Sequence, residues 1–220
     1  MTLNILIAHK PEAQGIIKQF SLARDTDYPE HAIYIGEHIK LGICGTGYQR
    51  CQAMTEMLYS QSSLSPFLDK ESDFWLNYGT AGTSEFSVGE LVVAKSVVYP
   101  SISRQWELNN LLDGVLNSIL NLGVVRTVDS VDEAYKGSEV YEMEAAGMLS
   151  VLEEIGCLQR AVVLKLVSDG PELPVNNQSR QQIIALLAKS EPRIQILVDA
   201  LLNQVVESST GSSSDSNTAI

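Results

Sequence analysis

Positive charge is scarce in this sequence. Lys and Arg number 15 against 27 Asp and Glu in 220 residues, a formal net charge of −12. A protein that tracks a phosphate backbone or docks on anionic lipid needs a basic face, so nucleic-acid and membrane-surface binding are both disfavoured. Long apolar runs are missing too, and none approaches the ~18 residues of a membrane span. The opening residues, Met1-Thr2-Leu3-Asn4-Ile5, carry no basic stretch and no small-residue cleavage site, which argues against a secretory signal. Cysteine is limited to Cys44, Cys51 and Cys157, an odd number without metal-ligand spacing, so reduced thiols and a cytoplasmic location are expected. Proline is sparse at 7 residues, whereas 45% of the chain is hydrophobic, enough for a sizeable core and against generic disorder. At roughly 100–200 residues per domain, one domain is expected.

The last fourteen residues, Glu207–Ile220, hold six serines and predict a disordered tail behind a domain spanning residues 1–206. Within that domain, Leu3–Ala8 reads as a buried strand, and Pro11 suits the first turn of a helix reaching about Leu22. Ala32–Ile35 and His38–Ile43 read as a hairpin around Gly36-Glu37, followed by a helix from Tyr48 to Tyr59. Phe74–Tyr78, Leu91–Val98, Val124–Val128 and Ala161–Val167 read as further strands. Leu108–Leu122 and Met143–Ile155 have helical patterns, and Gln178–Val206 is a helical stretch expected to break before Pro192. Strands that alternate with helices and are apolar on both faces imply an α/β fold with a mostly parallel sheet. Ligands then gather at the carboxyl ends of the strands.

Several residues at those ends could carry chemistry. Glu12 follows the first strand, either as an acid complementing a helix dipole or as a general base. Asn77–Thr83 (NYGTAGT) leaves a strand with two glycines, which suits a plain turn or close backbone approach to a ligand. Gly45-Thr46-Gly47 before a helix has neither the spacing nor the lysine of a P-loop. Glu142-Met143-Glu144 precedes the Ala145-Ala146-Gly147 packing face, where a solvated acid is less expected. Glu144 could accept hydrogen bonds from vicinal hydroxyls. Asp169, after Ser168, is either a turn residue or an acid whose pKa is raised by burial so that it can donate a proton. None of the three histidines joins a nucleophile or metal cluster, and no Ser-His-Asp order, CxxC or HExxH occurs. Carboxylate acid–base chemistry is left, with neither metal nor cofactor expected.

Together these stations resemble the nucleoside phosphorylase and hydrolase superfamily, above all its methylthioadenosine/S-adenosylhomocysteine nucleosidases. The block NYGTAGT with VGELVVA at Val88–Ala94, EMEAAG at Glu142–Gly147 and VSDG at Val167–Gly170 occur in the family's order and spacing. The likeness extends from Leu3 to about Val206, with the Tyr99–Val124 region shortened. It implies a three-layer α/β/α domain with a mixed, mostly parallel central sheet and hydrolysis of the N-glycosidic bond of an adenosine-type nucleoside. It also implies a homodimer. Glu12 matches the acid that activates water, Thr80 the hydroxyl beside it, and Ala81 and Gly82 the backbone near the base. Met143 matches the residue packed on the ribose, and Glu144, beside Glu142, the acid that binds its hydroxyls. Asp169, supported by Ser168, matches the acid that protonates the purine. Lys165 stands where these hydrolases carry arginine, and Val131 where they stack an aromatic on the base. A phosphorylase would need arginines in the first strand–helix loop and ahead of the GTAG-like turn, where this chain has HKPEAQG and Asn77. Purine nucleoside phosphorylase, a futalosine-type hydrolase and a nucleoside-binding module with little turnover are the alternatives.

Overall fold

The computed structural model describes residues 1–62, 73–109, 111 and 120–211. The run LNILI forms strand β1 (Leu3–Ile7), buried at every position, as befits a strand covered on both faces. Helix α1 (Lys10–Gln19) starts with Pro11 in its first turn, where a missing N–H costs no helix hydrogen bond. The hairpin appears as β3 (Ile33–Ile35) and β4 (Ile39–Ile43), with a two-residue strand β2 (Ala23–Arg24) added on the outside. Helix α2 (Tyr48–Ser62) leaves the Gly45-Thr46-Gly47 turn. Then come β5 (Phe74–Gly82), β6 (Leu91–Tyr99), β7 (Arg104–Glu107), β8 (Asn121–Thr127), β9 (Glu139–Glu142), α3 (Ala145–Glu154), β10 (Ala161–Asp169) and α4 (Arg180–Gly211).

Some boundaries depart from the sequence reading, each for a physical reason. Strand β5 does not turn at Tyr78, because Gly79–Ala81 stay in parallel register with Lys165–Val167 of β10. Residues 121 and 122, expected in a helix, open β8 and pair with Val92 and Val93 of β6. The rest of the Leu108–Leu122 helix falls largely on residues 110 and 112–119, outside the described residues. Helix α3 begins at Ala145, because the Glu142 side chain takes the Glu144 and Ala145 amides and so fixes the first turn there. Helix α4 does not break at Pro192. Leu187, Ile194, Leu197, Val198, Leu201 and Val205 are buried along one face of it, and burial at ~1.5–3 kcal/mol per large side chain outweighs the ~3 kcal/mol of an interior proline. The same helix continues to Gly211, and residues 212–220 of the expected tail lie outside the described residues.

The sheet is mixed. Parallel β4–β1–β5–β10 forms one half and parallel β6–β8–β9 the other. Antiparallel contacts β10–β6 and, at Gly82 and Tyr141, β5–β9 join the halves, so β5, β10, β6, β8 and β9 close into a ring. Leu3, Ile5 and Ile7 of β1 face α1 and α4 through Ala13, Ile16, Leu187, Leu197 and Val198. Leu6 faces the opposite way, into the cluster of Cys51, Met54 and Leu58 from α2 and Ala146, Leu149 and Leu152 from α3. The fold is therefore three-layered, α/β/α. Gly147 is what lets α3 lie against α2, since a Cβ there would stand 2.3 Å from the Tyr48 carbonyl oxygen. Among the described residues no helix is long and apolar enough to cross a membrane.

Candidate active site

At the carboxyl ends of β1, β5 and β10 lies a cavity of about 390 Å³, a size typical of a small-molecule site. Glu12, Thr80, Ala81, Gly82, Val131, Glu142, Met143, Glu144, Ser168 and Asp169 all line it. Lys165 and Asn77, also singled out from sequence, do not.

Glu12 is buried in the first turn of α1, and its carboxylate is held from both sides. Oε1 accepts from the Thr80 amide at 2.9 Å and the Thr80 hydroxyl at 2.8 Å. Oε2 accepts from the His9 amide at 3.0 Å, so Glu12 also caps its own helix. The two sequence readings of this residue are compatible in one geometry. His9 Nε2 in turn lies 3.0 Å from Thr46 Oγ1 across the cavity rim.

Glu142 and Glu144 stand on the bend between β9 and α3, and their surroundings differ. Glu142 Oε1 accepts from the Thr127 hydroxyl at 2.5 Å. Its Oε2 accepts from the Glu144 amide at 2.9 Å, the Ala145 amide at 2.8 Å and Lys165 Nζ at 2.7 Å. Its side chain therefore serves the protein, as the anion at the α3 N-terminus and the partner of a buried lysine. Glu144 accepts from the Gly47 amide at 2.8 Å through Oε1. Burial, then repulsion from Glu142, raises its pKa, against the opposing pull of Lys165 and the Gly47 amide.

Lys165, expected from sequence to touch the substrate, lies behind the cavity wall, for it is 1% exposed and bridges Glu142 to Asn77 Oδ1, the latter at 2.7 Å. Burial acts to lower its pKa, but Glu142 and Glu144 outweigh burial and the net shift is upward, so the ammonium stays charged. Its place is behind the cavity wall, where the Glu142 carboxylate and the Asn77 amide oxygen take the place of water around the ammonium.

Asp169 ends β10, buried. Oδ1 accepts from Ser168 Oγ at 2.5 Å and Oδ2 from the Tyr135 hydroxyl at 2.7 Å. Gly82 lies against this pair, where a Cβ would come 2.2 Å from Asp169 Oδ2 and 2.6 Å from Tyr135 Cε1. Val131 reaches the cavity but is 60% exposed. The aromatic surface comes instead from Tyr135 and Tyr141, both buried and both lining the cavity. Sequence reasoning missed these two, because their approach depends on the β5–β9 closure and on a loop without periodic pattern. Among the described residues no group of three or more His, Cys, Asp or Glu side chains could hold a metal ion.

No protein-family model matches the chain, and no curated protein matches it. Solved structures do. A futalosine hydrolase mutant of Helicobacter pylori is 17% identical, with 93% of this chain and 99% of that one covered at a TM-score of 0.72. The 5′-methylthioadenosine/S-adenosylhomocysteine nucleosidase of the same organism is 16% identical, with 90% and 98% covered at 0.72. The 5′-methylthioadenosine nucleosidase of Arabidopsis thaliana is 21% identical, with 91% and 95% covered at 0.73. Likeness at these identities is likeness of fold, and over nearly its whole length this chain has the fold of the futalosine hydrolase and of the two nucleosidases.

Proposed function

We propose that the chain is a purine nucleosidase that hydrolyses the N-glycosidic bond of an adenosine-type nucleoside. The observation that carries this reading is the meeting of Glu12, Glu144 and Asp169 on one cavity of nucleoside size. Glycosidic cleavage builds positive charge on the sugar and negative charge on the departing base. Glu12, oriented by three donors, is the base that takes a proton from the attacking water. Glu144 accepts from the ribose hydroxyls, with Met143 against the sugar, and so helps to orient it. Asp169 delivers a proton to the imidazole nitrogen of the base, so that a neutral purine leaves.

Water is favoured over phosphate as the nucleophile. Five carboxylates line the cavity, from Glu12, Asp132, Glu142, Glu144 and Asp169, and among the described residues no Lys or Arg does. A phosphate dianion would meet repulsion there. Asn77, at the position where a phosphorylase needs arginine, is turned inward to Lys165. The test is a panel of 5′-varied purine nucleosides, scored for free base with and without phosphate. Phosphate-independent release with free ribose supports hydrolysis; a sugar 1-phosphate as product makes it a phosphorylase, and binding without release makes it a binding module. The reading includes one catalytic domain over residues 1–206, a cytoplasmic location and a homodimer, for which sedimentation at micromolar concentration is the check.

A further inference from the structure

We propose that Tyr135 is the positioning residue of the leaving-group acid: its hydroxyl holds Asp169, and its ring supplies the aromatic wall that position 131 lacks. The assignment rests on the nucleosidase reading for what Asp169 does, and on geometry for how Asp169 is held. The Tyr135 hydroxyl donates to Asp169 Oδ2 at 2.7 Å, while Ser168 occupies Oδ1. Tyr135 is 5% exposed and lines the cavity. Its backbone sits at φ +41°, a left-handed conformation that is unusual for a bulky residue and costs energy. The fold holds it there. Ser84 Oγ lies 3.0 Å from the Tyr135 carbonyl oxygen and 2.8 Å from that of Gly137, and the Tyr141 hydroxyl donates to the Lys136 carbonyl. Gly82 leaves the space that the phenol and the carboxylate share. A strained tyrosine, pinned on both sides and aimed at one carboxylate oxygen, is what a positioning role requires.

The chemistry follows from the direction of that hydrogen bond. Burial first, and then Asp169, raise the phenol pKa, so Tyr135 remains a donor throughout the neutral range. A donor favours the ionised carboxylate. Tyr135 thereby stabilises the aspartate left after the proton has passed to the base. Other titratable groups also face this end of the cavity. Asp132 and Glu133 are on the Tyr135 loop, Tyr141 and Glu142 on β9, and His9, Glu12 and Glu144 across the cavity. All of them stay in place when one hydroxyl is removed from Tyr135, so that change takes away one donor to Asp169.

Tyr135→Phe removes that hydroxyl and keeps the ring. The kcat for a purine nucleoside should fall by ~10-fold or more, the size expected for a lost hydrogen bond to a charged group, with KM little changed. Hydrolysis of a nitrophenyl riboside, whose leaving group needs no proton, should keep its rate. Ser84→Ala, which frees the loop and leaves the phenol, should act in the same direction by less, and it decides the matter if Tyr135→Phe does not fold. Undiminished purine release overturns the assignment, as does an equal loss with both substrates. A parent protein that cleaves no nucleoside would remove the nucleosidase reading, while a high-resolution crystal structure still decides whether Tyr135 holds Asp169.

Discussion

The two ends of the cavity are built differently. At one end Glu12 is held by the His9 amide three residues away and by Thr80 on the neighbouring strand of a regular parallel pair. At the other, Asp169 depends on a tyrosine from a loop 34 residues earlier in the chain, and the β9–α3 bend depends on Lys165, 23 residues beyond Glu142. Glu12 at the first end rests on two main-chain amides that a correctly folded strand–helix turn presents, with one hydroxyl, that of Thr80, added. Groups at the second rest on side chains that must all be present together. Substitution at the first end should therefore cost turnover and leave stability alone, and removal of a side chain on which others depend at the second should cost stability as well.

The largest effect tests the first half of that contrast. Glu12→Gln keeps the shape but cannot take a proton from water, so kcat should fall by ~10²–10⁴-fold with nucleoside binding retained. Thermal unfolding should move little, because a glutamine oxygen still accepts from Thr80. Near-normal turnover in correctly folded protein would reduce Glu12 to a helix cap. Asp169→Asn should lose as much with a poor leaving group such as adenine and little with nitrophenol.

Next in size is Lys165→Met. It leaves the Glu142 carboxylate charged, buried and without its cation, a change that typically costs about 3–5 kcal/mol of stability. Denaturant unfolding should show it, against a nearly unchanged Glu12→Gln. A loss within 1 kcal/mol, as is usual for an exposed ion pair, would show that Lys165 does not hold this wall. A smaller effect is expected from Gly82→Ala, whose methyl would sit 2.2 Å from Asp169 Oδ2. Overpacking of this kind costs roughly 1–3 kcal/mol, and purine release should fall while nitrophenyl riboside cleavage persists.

The same contrast explains what could be read in the sequence. β1, the β3–β4 hairpin, β6 and β10 are apolar or alternating runs bounded by turn residues, and the layers follow from them. β9 is only EVYE, two acids among two apolar residues; it becomes a strand through Arg126, which reaches Glu139 from the adjacent β8, and through Gly82 of β5. A local pattern cannot announce partners so distant. Glu12 and Asp169 were legible because strand ends are where an α/β sheet offers ligands a crevice. Tyr135 was not, having neither a periodic pattern nor a strand end to mark it. The EMEAAG segment shows the boundary of such reading. It drew attention to two acids, but only Lys165 and Thr127, from other strands, reveal that Glu142 is committed to the protein and leave Glu144 as the one open to a ligand.

The smallest expected effect makes that last distinction measurable. The pKa of Glu144 is raised from its ordinary 4.5, first by burial and then by Glu142. The folded protein thus binds a proton on Glu144 more readily than the unfolded chain does, and stability falls as pH climbs from the ordinary carboxylate value through the raised one. Above that window the ionised side chain imposes a constant penalty. Glu144→Gln removes the charge and keeps an oxygen for the Gly47 amide, so its Tm should exceed that of the parent at pH 7 to 8. The gain should shrink to nothing once the pH is below the ordinary carboxylate range, where the parent is neutral as well. Glu142→Gln should do the reverse and lower Tm at neutral pH, since Lys165 then loses its anion. Opposite signs at two residues separated by one methionine would mark Glu144 as a group kept at a cost in stability, as binding groups are. Equal signs would erase the difference between them.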